Sequence, residues 1–222
     1  LRGLQLVEIS AFREAVPYFE KVIETGRYNE YLAGLAQYWL AESHYRNNQF
    51  ALSAELNESL LSKPGIFRTS PEFKLVNFNL GYSYLRLGNY PLAQQQFEKF
   101  LTSGNNSADF LSEGAMRLGD CLFMQKKYPE AVDAYSKVSQ SNLNIYLYSV
   151  LQKGIALGLT GNDAAKISLL KDALLQNPKA DLYSELQYEL GRTLVQAGDN
   201  TGATVSFSDI IENHKGSSFY GK

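Results

Sequence analysis

Cysteine is almost missing from this chain. Cys121 is the only one in 222 residues, so no disulfide can form within it. Histidine is nearly as scarce, with His44 and His214 alone. Neither has a Cys, Asp or Glu at metal-ligand spacing on a shared helix face, so neither a metal nor a bound cofactor is expected. A surplus of positive charge is lacking too: 21 Lys and Arg stand against 23 Asp and Glu, a formal net charge of −2. Phosphate recognition needs clustered cations, which argues against nucleic acid as the main partner. No apolar run approaches the ~20 residues that span a bilayer, so no membrane insertion by this chain is expected. No segment alternates polar and apolar residues as a half-buried strand does. Gly154, Gly158 and Gly161 superficially suggest a phosphate loop, but no strand precedes them and no Lys-Ser/Thr follows. Carboxylates such as Glu42, Asp120 and Glu189 are scattered along the chain without a nucleophile or base, so an enzyme is not expected.

What is present is a repeat. A small residue recurs at Gly3, Ala41, Gly81, Gly119, Gly154 and Gly191, and twelve residues after each stand Ala15, Ser53, Ala93, Ala131, Lys166 and Ala203. The same spacing is kept in all six copies, whereas the interval between copies varies and is filled by turn formers such as Ser62-Lys63-Pro64-Gly65. The unit is therefore a fixed helical hairpin joined by loops of unequal length. The expected helices are about 12–25, 29–46, 50–62, 71–87, 90–102, 107–125, 128–139, 144–159, 162–176, 181–197 and 200–213, with a short first helix ahead of them. Pro91 and Pro129 open second helices, where no hydrogen bond is lost. Pro17 sits deeper in its helix and predicts a local distortion. The small residues predict close helix crossings. Tyr84, Tyr90, Phe97, Tyr128, Tyr135 and Phe207 are expected to fill the space between neighbouring units. Ser53, Asn57 and Lys166 depart from the pattern, so the second and fifth hairpins are expected to pack less tightly. His44 and Cys121 fall in packing positions.

The run Leu80-Gly81-Tyr82-Ser83-Tyr84 with Ala93 and Phe97, and its counterparts at Leu118-Gly119 and Leu190-Gly191, resemble the tetratricopeptide repeat family. The resemblance covers nearly the whole chain and implies an all-α, right-handed superhelical solenoid of antiparallel hairpins. The expected organisation is one array, 1–222, of about six repeats at 1–27, 28–65, 70–105, 107–141, 144–178 and 180–214. A pentatricopeptide-like RNA binder has a similar period but should be basic, which this chain is not.

In that family the first helices line a concave groove. The resemblance thus nominates Tyr38, Glu42, Tyr45, Arg46, Phe78, Asn79, Tyr82, Leu85, Arg86, Met116, Arg117, Asp120, Phe123, Tyr148, Leu151, Ile155, Tyr188, Glu189 and Arg192 as wall residues for a protein or peptide partner. Tyr, Phe and Arg dominate, the types favoured at binding hot spots. Periodicity alone leaves two readings of the apolar members open: groove wall, or core. The clamp that binds chaperone tails in one subfamily is not matched, because Tyr38, Glu42 and Glu113 stand where basic or amide residues are needed. Besides an interaction scaffold, a structural spacer or a helical accessory domain of a larger envelope protein or enzyme fits the pattern. The run Tyr38-Trp39-Leu40-Ala41-Glu42-Ser43 and the tail Glu212–Ser218 resemble bacterial envelope repeat proteins, namely the periplasmic protein of the Tol-Pal system and the outer-membrane assembly lipoprotein. That implies a periplasmic or outer-membrane-associated location. The chain begins with Leu1 halfway through a first helix and ends on Ser218-Phe219-Tyr220, which looks like the start of another. A fragment of a longer chain is therefore expected, with self-association through uncapped ends.

Overall fold

A computed structural model describes residues 2–25, 29–62, 65–104, 106–214 and 216, which are helical with no strand among them. The chain divides into two compact units, Leu1–Asn106 and Ser107–Lys222. The first holds α1 (Arg2–Glu8), α2 (Phe12–Thr25), α3 (Glu30–Arg46), α4 (Phe50–Ser62), α5 (Val76–Arg86) and α6 (Tyr90–Thr102). The second holds α7 (Ala108–Met124), α8 (Tyr128–Tyr135), α9 (Leu143–Leu159), α10 (Asp163–Gln176), α11 (Tyr183–Gln196) and α12 (Asn200–Asn213). Within each unit every helix packs on the next, and first helices also meet across hairpins, α3 on α5, α7 on α9 and α9 on α11. The expected start at Leu1 and the tail at Ser218-Phe219-Tyr220 lie outside the described residues.

Three local expectations are corrected. The helix expected from residue 71 opens with a 3₁₀ turn, Glu72–Leu75, and becomes α-helical only at Val76. A second 3₁₀ turn, Ile66–Thr69, precedes it, and its Phe67 is buried against α3 over Gly34. The connection that reads as a plain loop is therefore part of the core. Helix α8 stops at Tyr135, four residues early, where the Val138 amide turns back to the Tyr135 carbonyl. Helix α2, by contrast, runs unbroken through Pro17.

The hairpin turn is the same six times. Seven residues after each small residue the backbone turns left-handed, at Ser10, Asn48, Gly88, Lys126, Gly161 and Gly198, with φ between 59° and 80°. The next amide then donates back to the carbonyl five residues earlier, as from Asn89 to Tyr84 and from Asp199 to Leu194, both 2.9 Å. This pattern closes a helix by satisfying carbonyls that have lost their helical partners. Immediately afterwards the Asn89, Asn162 and Asp199 side chains accept from the third amide of the following helix, capping its start.

The small residue of the first helix has a specific task. The second helices carry Phe19, Phe97, Tyr135 and Phe207 sixteen residues after the small residue. Each lays its ring across the glycine of its own hairpin, Gly3, Gly81, Gly119 or Gly191. A Cβ at these glycines would come within 2.9, 2.9, 2.5 and 2.6 Å of the ring, closer than real Cβ contacts allow. Where the ring is replaced the constraint loosens: Asn57 stands opposite Ala41, and Leu170 opposite Gly154 at 3.4 Å. Gly119→Ala should therefore destabilise by ~1–3 kcal/mol through overpacking. Gly154→Ala should be neutral or stabilise by up to about 1 kcal/mol, because only the helix-propensity gain remains. Urea midpoints of the two variants check the contrast, and equal shifts would show that the ring does not set the glycine.

Candidate functional site

The two hairpins that break the pattern bury polar side chains where the others bury alanine. Ser53 is buried and its hydroxyl meets that of Ser83 at 3.0 Å, so a hydrogen bond replaces the usual alanine contact between α4 and α5. Asn57 donates to the Ser53 carbonyl at 2.9 Å, while its own carbonyl oxygen is buried without a partner among the described residues. In the fifth hairpin Lys166 replaces alanine and is only 5% exposed. Its stem runs beside Gly154 and Gly158, where a Cβ at Gly158 would stand 3.1 Å from Nζ. Its ammonium reaches the next first helix and donates to Glu189 Oε1 at 2.5 Å. Glu189 Oε2 accepts in turn from Arg192 at 3.2 Å. Gly158 makes room for the lysine and Gly161 makes the left-handed turn, so neither needs a phosphate to explain it.

In the first unit the nominated wall divides by depth. Tyr38 and Phe78 are buried, so for these two the core reading holds. Phe78 packs on Phe97 and Phe100, and Tyr38 packs edge-on against Trp39. Burial pushes the Tyr38 phenol up to about 12. Glu42, Asn79, Leu85 and the rings of Tyr45 and Tyr82 are half-buried, and these two rings touch at 6.2 Å between centroids. The arginines are exposed at the rim but held. Arg46 Nε donates to Glu42 at 2.6 Å, and its guanidinium lies 5.8 Å from the Phe12 ring. Arg86 lies over Phe50 at 4.4 Å. In each case an arginine on a first helix stacks on the ring that opens the second helix of the preceding hairpin, worth about 0.5–1 kcal/mol at such exposed sites.

In the second unit Met116 is buried and belongs to the core. Asp120 is the centre of a polar cluster. Its Oδ1 accepts from Tyr135 at 2.8 Å and from Tyr148 at 3.2 Å, and its Oδ2 from Arg117 at 2.9 Å. Burial raises the Asp120 carboxyl above its usual range, while the hydrogen bonds from Tyr135, Arg117 and Tyr148 oppose that rise. The Tyr148 phenol is pushed up to about 12, first by burial and then by the carboxylate. Tyr135 moves in the same direction for the same reasons. Phe123, Leu151, Ile155 and Tyr188 are half-buried, and Arg192 is exposed. The cluster carries no nucleophile, and Cys121 beside it is a buried thiol raised to about 12 by desolvation. No group of three His, Cys, Asp or Glu side chains among the described residues could hold a metal ion. His44 is half-buried with Nδ1 2.7 Å from Gln49 Oε1, and His214 stacks on Tyr183. No helix among the described residues is long and apolar enough to cross a membrane.

Two outcomes follow from these charges. Glu189→Ala strands a buried ammonium and should cost ~3–5 kcal/mol. Lys166→Ala leaves Glu189 its arginine partner and restores the residue of four of the other hairpins, so it should cost less than half as much; equal losses in urea denaturation would refute the asymmetry. The second outcome concerns alkali. Cys121, Tyr38 and Tyr148 all have folded values near 12 against ordinary values of 9 to 10. The unfolded chain releases these protons first, so stability is intact below pH ~9 and falls as pH rises towards 12. Cys121→Ala should flatten that fall by about 2 kcal/mol at pH ~11, read as denaturation midpoints across that range.

A tetratricopeptide repeat family model matches residues 1–71 and 78–142, more than half of the chain. No curated protein sequence matches it at a significant level. Among solved structures, MamA from AMB-1 is similar at 20% identity and a TM-score of 0.63, covering 83% of this chain and 93% of its own. YrrB, a TPR protein with an unusual peptide-binding site, is similar at 18% identity and a TM-score of 0.66, covering 87% of this chain and 91% of its own. At these identities the likeness is one of fold, and it agrees with the helix-pair pattern of both units. With its sequence match, its six identical turns and its ring-over-glycine hairpins, the chain belongs to the tetratricopeptide repeat family.

Proposed function

We propose that this chain is a non-catalytic scaffold that binds an extended segment of a partner protein across its first helices. The observation that carries the reading is the half-exposed stripe of large amphipathic side chains on those helices. In the first unit Tyr45 and Tyr82 form its centre, with Arg46 and Arg86 at its edge. In the second unit Phe123 and Ile155 stand in the corresponding positions, Tyr148 and Tyr188 are half-buried on the same first helices as Ile155 and Arg192, and Arg192 is exposed. Such rings offer apolar area at low entropic cost, and arginines already held by stacking or by a carboxylate lose little freedom on binding. Membership of a repeat family whose members generally bind proteins supports the reading, as does a structural neighbour with a peptide-binding site. The envelope-like runs at Tyr38–Ser43 and Glu212–Ser218 support a bacterial periplasmic or outer-membrane-associated setting, which fractionation of a native host would check.

Linear peptides selected from a displayed library should bind with a clear salt dependence, because arginines frame the stripe. Arg46→Gln/Arg86→Gln should weaken peptides bound by the first unit about tenfold while leaving circular dichroism unchanged. Unaltered affinity in that variant would remove the stripe of the first unit as a charged binding surface.

A further inference from the structure

We propose a second docking surface, on the second-helix side of the last two hairpins, that takes an acidic, apolar segment of another protein. Between α10 and α12 lies an open groove of about 620 Å³ whose floor is formed by Leu190 and Leu194 of α11. Its two walls carry Leu175 and Val205, which are 82% and 65% exposed. Leu175 is the most exposed large apolar side chain among the described residues.

Comparison with the other hairpins shows that this exposure is particular to the groove. The position of Leu175 is occupied elsewhere by Glu24, Ser62, Thr102, Gln140 and Glu212, all exposed. The position of Val205 is occupied by Pro17, Glu55, Gln95, Asp133 and Ser168, again all exposed. The repeat thus assigns both positions to solvent, and only here does each carry a branched aliphatic side chain. Core packing does not account for them, because neither is buried. Both face the same groove, which a random drift towards apolar residues would not arrange.

The charge at the rim specifies the occupant. Lys171 lines the groove, at a position that holds Glu20, Glu58 and Glu98 in the first three hairpins. It makes no ion pair among the described residues. An apolar trough with a reversed, unpaired cation at its edge complements a segment with adjacent aliphatic or aromatic anchors and a carboxylate. Its walls are second helices, and its floor uses Leu190 and Leu194 of α11 rather than the stripe residues Tyr188 and Arg192 of that helix.

The test uses the whole chain and displayed linear peptides of about a dozen residues. Selected peptides should pair apolar anchors with Asp or Glu, and Leu175→Gln/Val205→Thr should weaken them at least about tenfold. Both substitutions are at exposed positions, and circular dichroism should confirm that the fold is kept. Lys171→Glu should weaken the same peptides, and replacing their acidic residue by Lys should restore binding. Arg46→Gln/Arg86→Gln should leave these peptides unaffected, which separates this surface from the stripe. Two results overturn the proposal: peptides indifferent to Leu175→Gln/Val205→Thr, or a dimer of the free chain that this double variant turns into a monomer, since the occupant would then be a second copy.

Discussion

The hairpin depends on one contact, an aromatic ring of the second helix packed against a glycine of the first. Four of the six hairpins make it, at Gly3, Gly81, Gly119 and Gly191. Glycine costs about 1 kcal/mol in a helix relative to alanine, and the ring returns more than that when its area is buried. The ring also sets the distance between the two helices. With that distance and the left-handed turn fixed, the faces offered to the next hairpin are fixed too. The first-helix stripe and the groove beside α11 are both by-products of this repeated unit.

Much of this architecture was legible before any coordinates. The twelve-residue spacing from Gly3 to Ala15 and its five copies located the hairpins, and most helix ends fell within two residues of the expected ones. The spacing is legible because steric contact between close helices admits few residue types. What could not be read was which partner each residue takes. The sequence places Gly81 and Phe97 on facing helices without showing that one lies on the other. The sixteen-residue interval that pairs them was nonetheless a signal, as was its matched change to Ala41 with Asn57. Phe67 was missed because it lies in an irregular connection, where periodicity carries no information about burial.

The candidate wall residues illustrate the same limit. Tyr38, Phe78 and Met116 share a helical face with Tyr45, Tyr82 and Phe123, yet the first three are buried and the others half-exposed. A periodicity of 3.6 residues resolves the side of a helix, not the depth of its neighbours. Departures from the family pattern were misleading in another way. Ser53 and Lys166 looked like defects because each replaces an alanine, but each brings a hydrogen-bonding group to a partner on the following helix that accepts it. A substitution that violates a repeat at one position is compensated at another, and only the three-dimensional pairing shows where.

The buried ammonium of Lys166 has a consequence for how this array could have grown. Repeat proteins lengthen and shorten by duplicating or deleting whole units, which requires neighbouring units to be interchangeable. The fifth hairpin is not. Its successor must present a carboxylate two residues before the small residue, and only Glu189 does so; the other copies of the repeat carry Leu1, Trp39, Asn79, Arg117 and Gln152 there in the sequence. A recombination that set Arg117 against Lys166 would bury two like charges together. The fifth and sixth hairpins are therefore tied as an inseparable pair, inherited or lost together.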